Sequence, residues 1–88
     1  MKTNYLMLKD LLEVYRPEQR GVVSTNEFML IKDTLCLNEM DVLALRNLRD
    51  FTVIFISNET DSTREDWDKM SAITYVIDTQ IFEMGGEV

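Results

Sequence analysis

The most continuous apolar pattern in the chain lies between Glu39 and Ser57, a stretch without proline or glycine. At about 100° per residue, one side of a helix over these residues gathers most of the apolar side chains. They are Met40, Leu43, Ala44, Leu48, Phe51, Ile54 and Phe55. A second, thinner apolar stripe on the opposite side contains Val42, Leu45, Val53 and Ile56. A helix with two apolar sides needs two neighbours, so we predict a central helix over 39–57 with its larger apolar side in the core.

Residues 51–57 also fit a β-strand, because they are β-branched and aromatic and lie between a charged segment and a polar turn. Two observations favour the helix. The apolar phase that begins at Met40 continues unbroken to Phe55, and a lone strand would lack a partner strand. We therefore predict an all-α fold. An α+β fold with a short strand at 51–57 is the alternative.

Two helices are predicted ahead of the central one. Thr3 is a suitable N-cap for the first, and Pro17 ends it because proline disfavours helix in the residue before it. Ser24 and Glu27 have the spacing of a capping box, in which each side chain bonds to the backbone of the other residue. The second helix therefore covers about 25–36.

One more helix is predicted after the central one. Ser62 and Glu65 repeat the capping-box spacing, and Gly85-Gly86 is a typical helix stop. The apolar side of this helix is expected to contain Trp67, Met70, Ile73, Thr74, Ile77, Ile81 and Met84. The sequence thus predicts a single helical domain over 1–88, folded as a compact bundle of about four helices.

The chain has 88 residues, of which 45% are apolar, so it is expected to fold. It buries only roughly 60–65% of its unfolded surface, however, and is expected to be marginally stable alone. Self-association would stabilise the fold, and we expect a homodimer formed through the thinner stripe of Val42, Leu45, Val53 and Ile56.

No uncharged apolar run reaches the roughly 18 residues that span a bilayer, and the N-terminus lacks a signal-peptide pattern. We expect no membrane contact and a cytoplasmic location.

Charge is unevenly distributed along the chain, whose formal net charge is −7. Residues 1–49 contain seven acids and seven bases, whereas residues 50–88 contain nine acids against Arg64 and Lys69. Direct binding of nucleic acid requires lysines and arginines that neutralise phosphates. The acidic half therefore argues against nucleic acid as a direct partner.

No motif in the sequence indicates a reaction, a cofactor or a metal. The chain has no histidine, and Cys36, its one cysteine, is expected to be a small core residue. The acidic run after Ser57 lacks the alternating ligands and the glycine of an EF-hand loop. A helix-turn-helix made from 25–36 and 39–57 would meet DNA phosphates with the acids of Glu39-Met40-Asp41. We expect neither an enzyme nor a cofactor or metal site, and a DNA-binding regulator is the least favoured alternative.

The acidic half does suggest a kind of partner. Carboxylates can take the place of phosphates when they pair with arginine and lysine. Five acids cluster after the central helix, namely Glu59, Asp61, Glu65, Asp66 and Asp68. We expect a small regulatory or inhibitory protein that binds a basic protein surface, such as one that itself binds nucleic acid. A structural homodimeric module without a charge-based role is the alternative. The short, acidic chain has the general character of proteins encoded by phages and mobile elements, which assigns no role to any residue.

Overall fold

The computed structural model describes residues 3–59 and 63–86, which form four α-helices. In chain order they are α1 (Asn4–Val14), α2 (Thr25–Thr34), α3 (Val42–Glu59) and α4 (Arg64–Glu83). A 3-10 turn over Leu37–Glu39 connects α2 to α3. The prediction of an all-α bundle is confirmed. The alternative strand at 51–57 is wrong, because these residues lie inside α3.

The N-termini of α1 and α2 are capped as the sequence predicts. The Thr3 hydroxyl accepts a hydrogen bond from the Leu6 N–H at 3.2 Å. The Ser24 N–H donates to the Glu27 carboxylate at 2.8 Å, and the Glu27 N–H donates to the Ser24 hydroxyl at 3.2 Å. These bonds satisfy backbone donors that the first turn of a helix leaves without an intrahelical partner.

The start of α4 lies one residue later than predicted. Its capping box pairs Thr63 with Asp66 rather than Ser62 with Glu65. The Thr63 N–H donates to the Asp66 carboxylate at 3.1 Å, and the Asp66 N–H donates to the Thr63 hydroxyl at 3.2 Å. Ser62 lies outside the described residues. Threonine and aspartate offer the same cap chemistry as serine and glutamate, so the sequence contains two overlapping cap signals here.

The C-terminus of α4 confirms the predicted glycine stop. The Gly85 N–H donates to the Phe82 carbonyl at 3.0 Å, and the Gly86 N–H donates to the Ile81 carbonyl at 2.9 Å. This pair of bonds, with Gly85 at a φ of +83°, is a Schellman motif. A left-handed residue is required at this position, and glycine adopts that conformation without steric cost.

The core-facing side of α3 is only partly the side that the apolar pattern indicates. The completely buried residues of this helix are Leu45, Leu48, Thr52 and Ile56. Leu43 and Ile54, which were predicted in the core, are 68% and 59% exposed. The Thr52 hydroxyl donates to the Leu48 carbonyl at 2.8 Å, so this buried polar group has a partner within the helix. A threonine in the middle of the buried side made that side look polar in the sequence.

The buried side of α4 also contains polar residues, so the apolar pattern does not identify it. Its buried residues are Lys69, Ala72, Ile73, Val76, Ile77, Gln80 and Ile81. The three isoleucines were predicted correctly, whereas Trp67 and Met84 are exposed. Lys69 is buried because its ammonium group donates to the Leu12 carbonyl of α1 at 2.9 Å. The core-facing side of α4 therefore includes two polar residues, Lys69 and Gln80, that a hydrophobic pattern excludes.

Helices α3 and α4 make the most extensive contact in the described fold, and α1 and α2 complete the core. Tyr5 of α1 meets Phe55 of α3 edge to face, with ring centroids 5.5 Å apart. Cys36, expected in the core, is partly buried and packs against it. It lies two residues after the end of α2, in a left-handed conformation with a φ of 55°. In the part of the chain that the structure describes, no helix is long and apolar enough to cross a membrane.

Candidate functional site

The acidic residues predicted to bind a partner lie in different environments. Glu59 is the last residue of α3, and Asp61 lies outside the described residues. Asp66 accepts hydrogen bonds from the Thr63 N–H and hydroxyl at 3.1 and 2.9 Å. Its carboxylate therefore stabilises the first turn of α4. The sequence treated Asp66 as a surface charge because the cap was placed one residue earlier.

Glu65 and Asp68 are paired with bases of the same chain. Glu65 lies 3.2 Å from Arg16 and 3.4 Å from Lys69, and the Lys69 pair has the i, i+4 spacing of neighbours on a helix surface. Asp68 lies 3.7 Å from Arg20. Arg16 and Arg20 belong to the loop between α1 and α2, so bases of the neutral half lie against acids of the acidic half. The charge asymmetry along the sequence is partly cancelled in space.

The predicted self-association stripe does not form an exposed surface. Leu45 and Ile56 are completely buried, Val42 is partly buried against the same core, and Val53 is 38% exposed. A contact surface needs accessible side chains, so Leu45 and Ile56 cannot contribute to one in this fold. The buried side of α3 combines Leu48 from the larger predicted side with Leu45 and Ile56 from the thinner one, so periodicity did not locate it. Formation of a homodimer stays a prediction.

Aromatic side chains line the outer side of α4. Trp67, Tyr75 and Phe82 are 43%, 57% and 73% exposed. At about 100° per residue, they lie within about 80° of one another around the helix axis. Aromatic residues bury more apolar area than any other type and usually dominate cores and interfaces. The sequence prediction missed this surface because Trp67 shares the spacing of the core isoleucines.

A groove of about 570 Å³ opens beside this aromatic side. On the loop it is lined by Pro17, Arg20 and Val22. On α4 it is lined by Asp68, Ser71, Ala72 and Tyr75. Tyr75 thus belongs both to the aromatic side and to the groove. No signal in the sequence indicates the groove, because its two sides come from segments about fifty residues apart.

A buried glutamate holds the loop that lines the groove. The Glu27 carboxylate accepts hydrogen bonds from the Tyr15 hydroxyl at 3.0 Å, the Glu18 N–H at 3.2 Å and the Ser24 N–H at 2.8 Å. Burial acts to raise the pKa of Glu27, but the hydrogen bonds outweigh it, so the pKa lies below its ordinary value. Burial and the bond to Glu27 raise the pKa of the Tyr15 hydroxyl, which keeps its proton and stays a donor. The sequence predicted only the cap at Ser24.

No protein-family model, curated protein or solved structure matches this chain. The role of the outer side of α4 is therefore inferred from its chemistry. Tyrosine, tryptophan and phenylalanine are enriched at the centres of protein–protein interfaces. From Trp67 to Phe82 the aromatic side extends for about 22 Å along the helix.

Proposed function

We propose that the protein is a small, non-enzymatic regulatory module that binds a partner protein through the outer side of α4. The observation that carries this proposal is the exposure of Trp67, Tyr75 and Phe82 along one side of the helix. Tryptophan and tyrosine are prominent among the residues that dominate binding energy at interfaces. Covering such rings removes apolar area from water, at about 25 cal/mol per Å².

The proposed partner has an apolar groove with basic residues around it. Helix α4 contains five acids and two bases, and the chain has a net charge of −7. Complementary charge raises the rate of association, and apolar contact supplies most of the affinity. This modifies the expectation from the sequence, in which acids alone make the contact. Glu65 already has two partners within the chain, so its main contribution is to the long-range field.

Regulation by this route is steric. A rigid helix that covers a basic surface prevents that surface from binding anything else, and this is the inhibitory role we propose. The cytoplasmic location expected from the sequence belongs to the same proposal.

A random-peptide display library panned against the full chain tests the proposal. We expect selected peptides to combine apolar residues with arginine and lysine. Phe82→Ser should weaken their binding by about thirtyfold or more, because truncating a residue that dominates an interface costs about 2 kcal/mol or more. Leu43→Ser is the matched control, since Leu43 is almost as exposed as Phe82 but lies on α3. This control should bind like the wild type.

The salt dependence of binding gives a second measurement. The association rate should fall as the screening length decreases from about 10 Å at 0.1 M to about 3 Å at 1 M salt. Peptides that bind Phe82→Ser as tightly as the wild type would contradict the proposed surface. An acidic consensus among the selected peptides would contradict the proposed partner.

A further inference from the structure

We infer that the groove beside Tyr75 binds an arginine side chain of the partner, an inference that rests on the proposed function. The groove shares Tyr75 with the aromatic side of α4. A partner that covers Trp67, Tyr75 and Phe82 therefore also covers the mouth of the groove. The groove contains a carboxylate, Asp68, and a guanidinium group, Arg20, that together indicate what enters it.

The ion pair between Arg20 and Asp68 is weak enough for another guanidinium group to displace Arg20. Its Nε–Oδ1 distance of 3.7 Å is longer than a hydrogen bond, and the Arg20 side chain is 63% exposed. Exposed pairs of this kind contribute about 0–1 kcal/mol. The Asp68 side chain is only 26% exposed and is fixed on a helix. A second guanidinium group can therefore replace Arg20 at Asp68 with little loss.

The rest of the groove suits the aliphatic part of an arginine. Four residues at helical spacing along α4 line the same groove, namely Asp68, Ser71, Ala72 and Tyr75, and side chains on a helix lean toward its N-terminus. Arginine stacks on aromatic rings and forms paired hydrogen bonds to carboxylates. The stem of an incoming arginine would lie along Tyr75 and Ala72 while its guanidinium group reaches Asp68.

Other ligands fit the groove less well. A carboxylate would meet Asp68 and the nearby Glu65 in a chain whose net charge is already −7. A neutral apolar group would cover the pair of Arg20 and Asp68 and remove it from water without a new partner, which is unfavourable. A lysine has the correct charge but cannot stack or form a two-bond contact.

The inference is tested with two small probes, N-acetyl-arginine amide and N-acetyl-citrulline amide. Citrulline has nearly the same shape as arginine but no charge. The isotope-labelled full chain is titrated with each probe and followed by NMR. The arginine probe should cause saturable shifts at the amides of Gly21, Ser71, Ala72 and Tyr75. The citrulline probe should cause none.

Three variants separate a specific site from general attraction. Asp68→Asn should weaken binding of the arginine probe by roughly tenfold, because it removes the charged acceptor. Glu83→Gln removes the same charge from α4 outside the groove and should leave binding unchanged. Arg20→Gln should strengthen binding by up to about fivefold, because it removes the internal competitor. A purely structural role of Arg20 would not produce a tighter site.

Several results would overturn the arginine site. These are equal responses to the two probes, full affinity in Asp68→Asn, or no saturable response up to the solubility limit of the arginine probe. Such a failure would leave the proposed function standing, because that function is measured with selected peptides and Phe82→Ser, and Phe82 does not line the groove. If peptide binding were lost while the arginine probe still bound, the proposed function would be wrong and the arginine site would stand.

Discussion

The Tyr15 hydroxyl donates a hydrogen bond of 3.0 Å to the Glu27 carboxylate, and both residues are buried. The bond joins the end of α1 to the first turn of α2 across the loop that lines the groove. Glu27 also accepts the N–H groups of Glu18 and Ser24, so one charged group fixes both ends of this loop. The loop that lines the groove is therefore held by a charged side chain that does not itself line the groove.

Stability should fall when Glu27 is protonated. Its pKa is lower in the folded chain than its ordinary value. The stabilisation is therefore complete above the unfolded pKa of about 4.3 and is lost as the pH falls through the folded pKa. Glu27→Gln should weaken this dependence and lower the free energy of unfolding at neutral pH by about 2 kcal/mol. Urea unfolding over a series of pH values measures both effects. The exposed acid Glu13, changed to Gln, is the control, and an acid response of Glu27→Gln identical to that of the wild type would contradict the assignment.

Tyr15→Phe should lower the free energy of unfolding by about 1.5–2 kcal/mol, because it removes a buried hydrogen bond to a charged group. A double-mutant cycle with Glu27→Gln isolates the pair. We expect a coupling energy of at least about 0.5 kcal/mol between the two changes. Additive effects would mean that the Tyr15 hydroxyl contributes independently of Glu27.

The helix spans could be predicted because their signals are local. Thr3, the Ser24 box and the final glycines act within one turn of the residues they cap. The core-facing sides of α3 and α4 could not be predicted. Thr52 and Lys69 are buried because each has a hydrogen-bond partner, which a hydrophobic pattern does not consider. The partner of Lys69 is a carbonyl 57 residues away.

The candidate site was harder to predict than the fold. Three acids of the predicted cluster are engaged within the chain, and two of them are paired with Arg16 and Arg20 from a distant loop. Such pairs could not be predicted, because their two residues lie far apart in the sequence. The exposed aromatic residues were missed for a different reason. Trp67 and Ile81 fit the same apolar period, although only Ile81 faces the core.

Leu45→Ala and Leu43→Ala test the corrected orientation of α3. Leu45 is completely buried, whereas Leu43 is 68% exposed. The first change should lower the free energy of unfolding by about 2–5 kcal/mol, since it leaves a cavity. The second should change it by no more than about 0.5 kcal/mol. Thermal melts of the two variants measure the difference, and the opposite order would restore the orientation predicted from the apolar pattern.

Gly85→Ala should lower the free energy of unfolding by about 1 kcal/mol, because an L-residue is strained at positive φ. A Cβ at this position would meet nothing within 4 Å, so the effect is one of backbone conformation alone. Gly85→Asn should cost less, since asparagine tolerates the left-handed region. Chemical unfolding of both variants is the measurement. Equal losses for alanine and asparagine would argue against backbone strain as the cause.

The bond from the Lys69 ammonium to the Leu12 carbonyl has a consequence for the order of folding. It closes a loop of 57 residues, which costs about 3–4 kcal/mol of chain entropy. Helices α3 and α4 are neighbours in sequence, and their pairing carries a much smaller penalty. We therefore expect the α3–α4 hairpin to form before the first half of the chain docks on it, and the amides of α1 to exchange with solvent before those of α3 and α4. The loop that lines the groove begins just after α1. If the groove binds a partner as inferred above, we expect that partner to recognise only chains in which this loop has docked on α4.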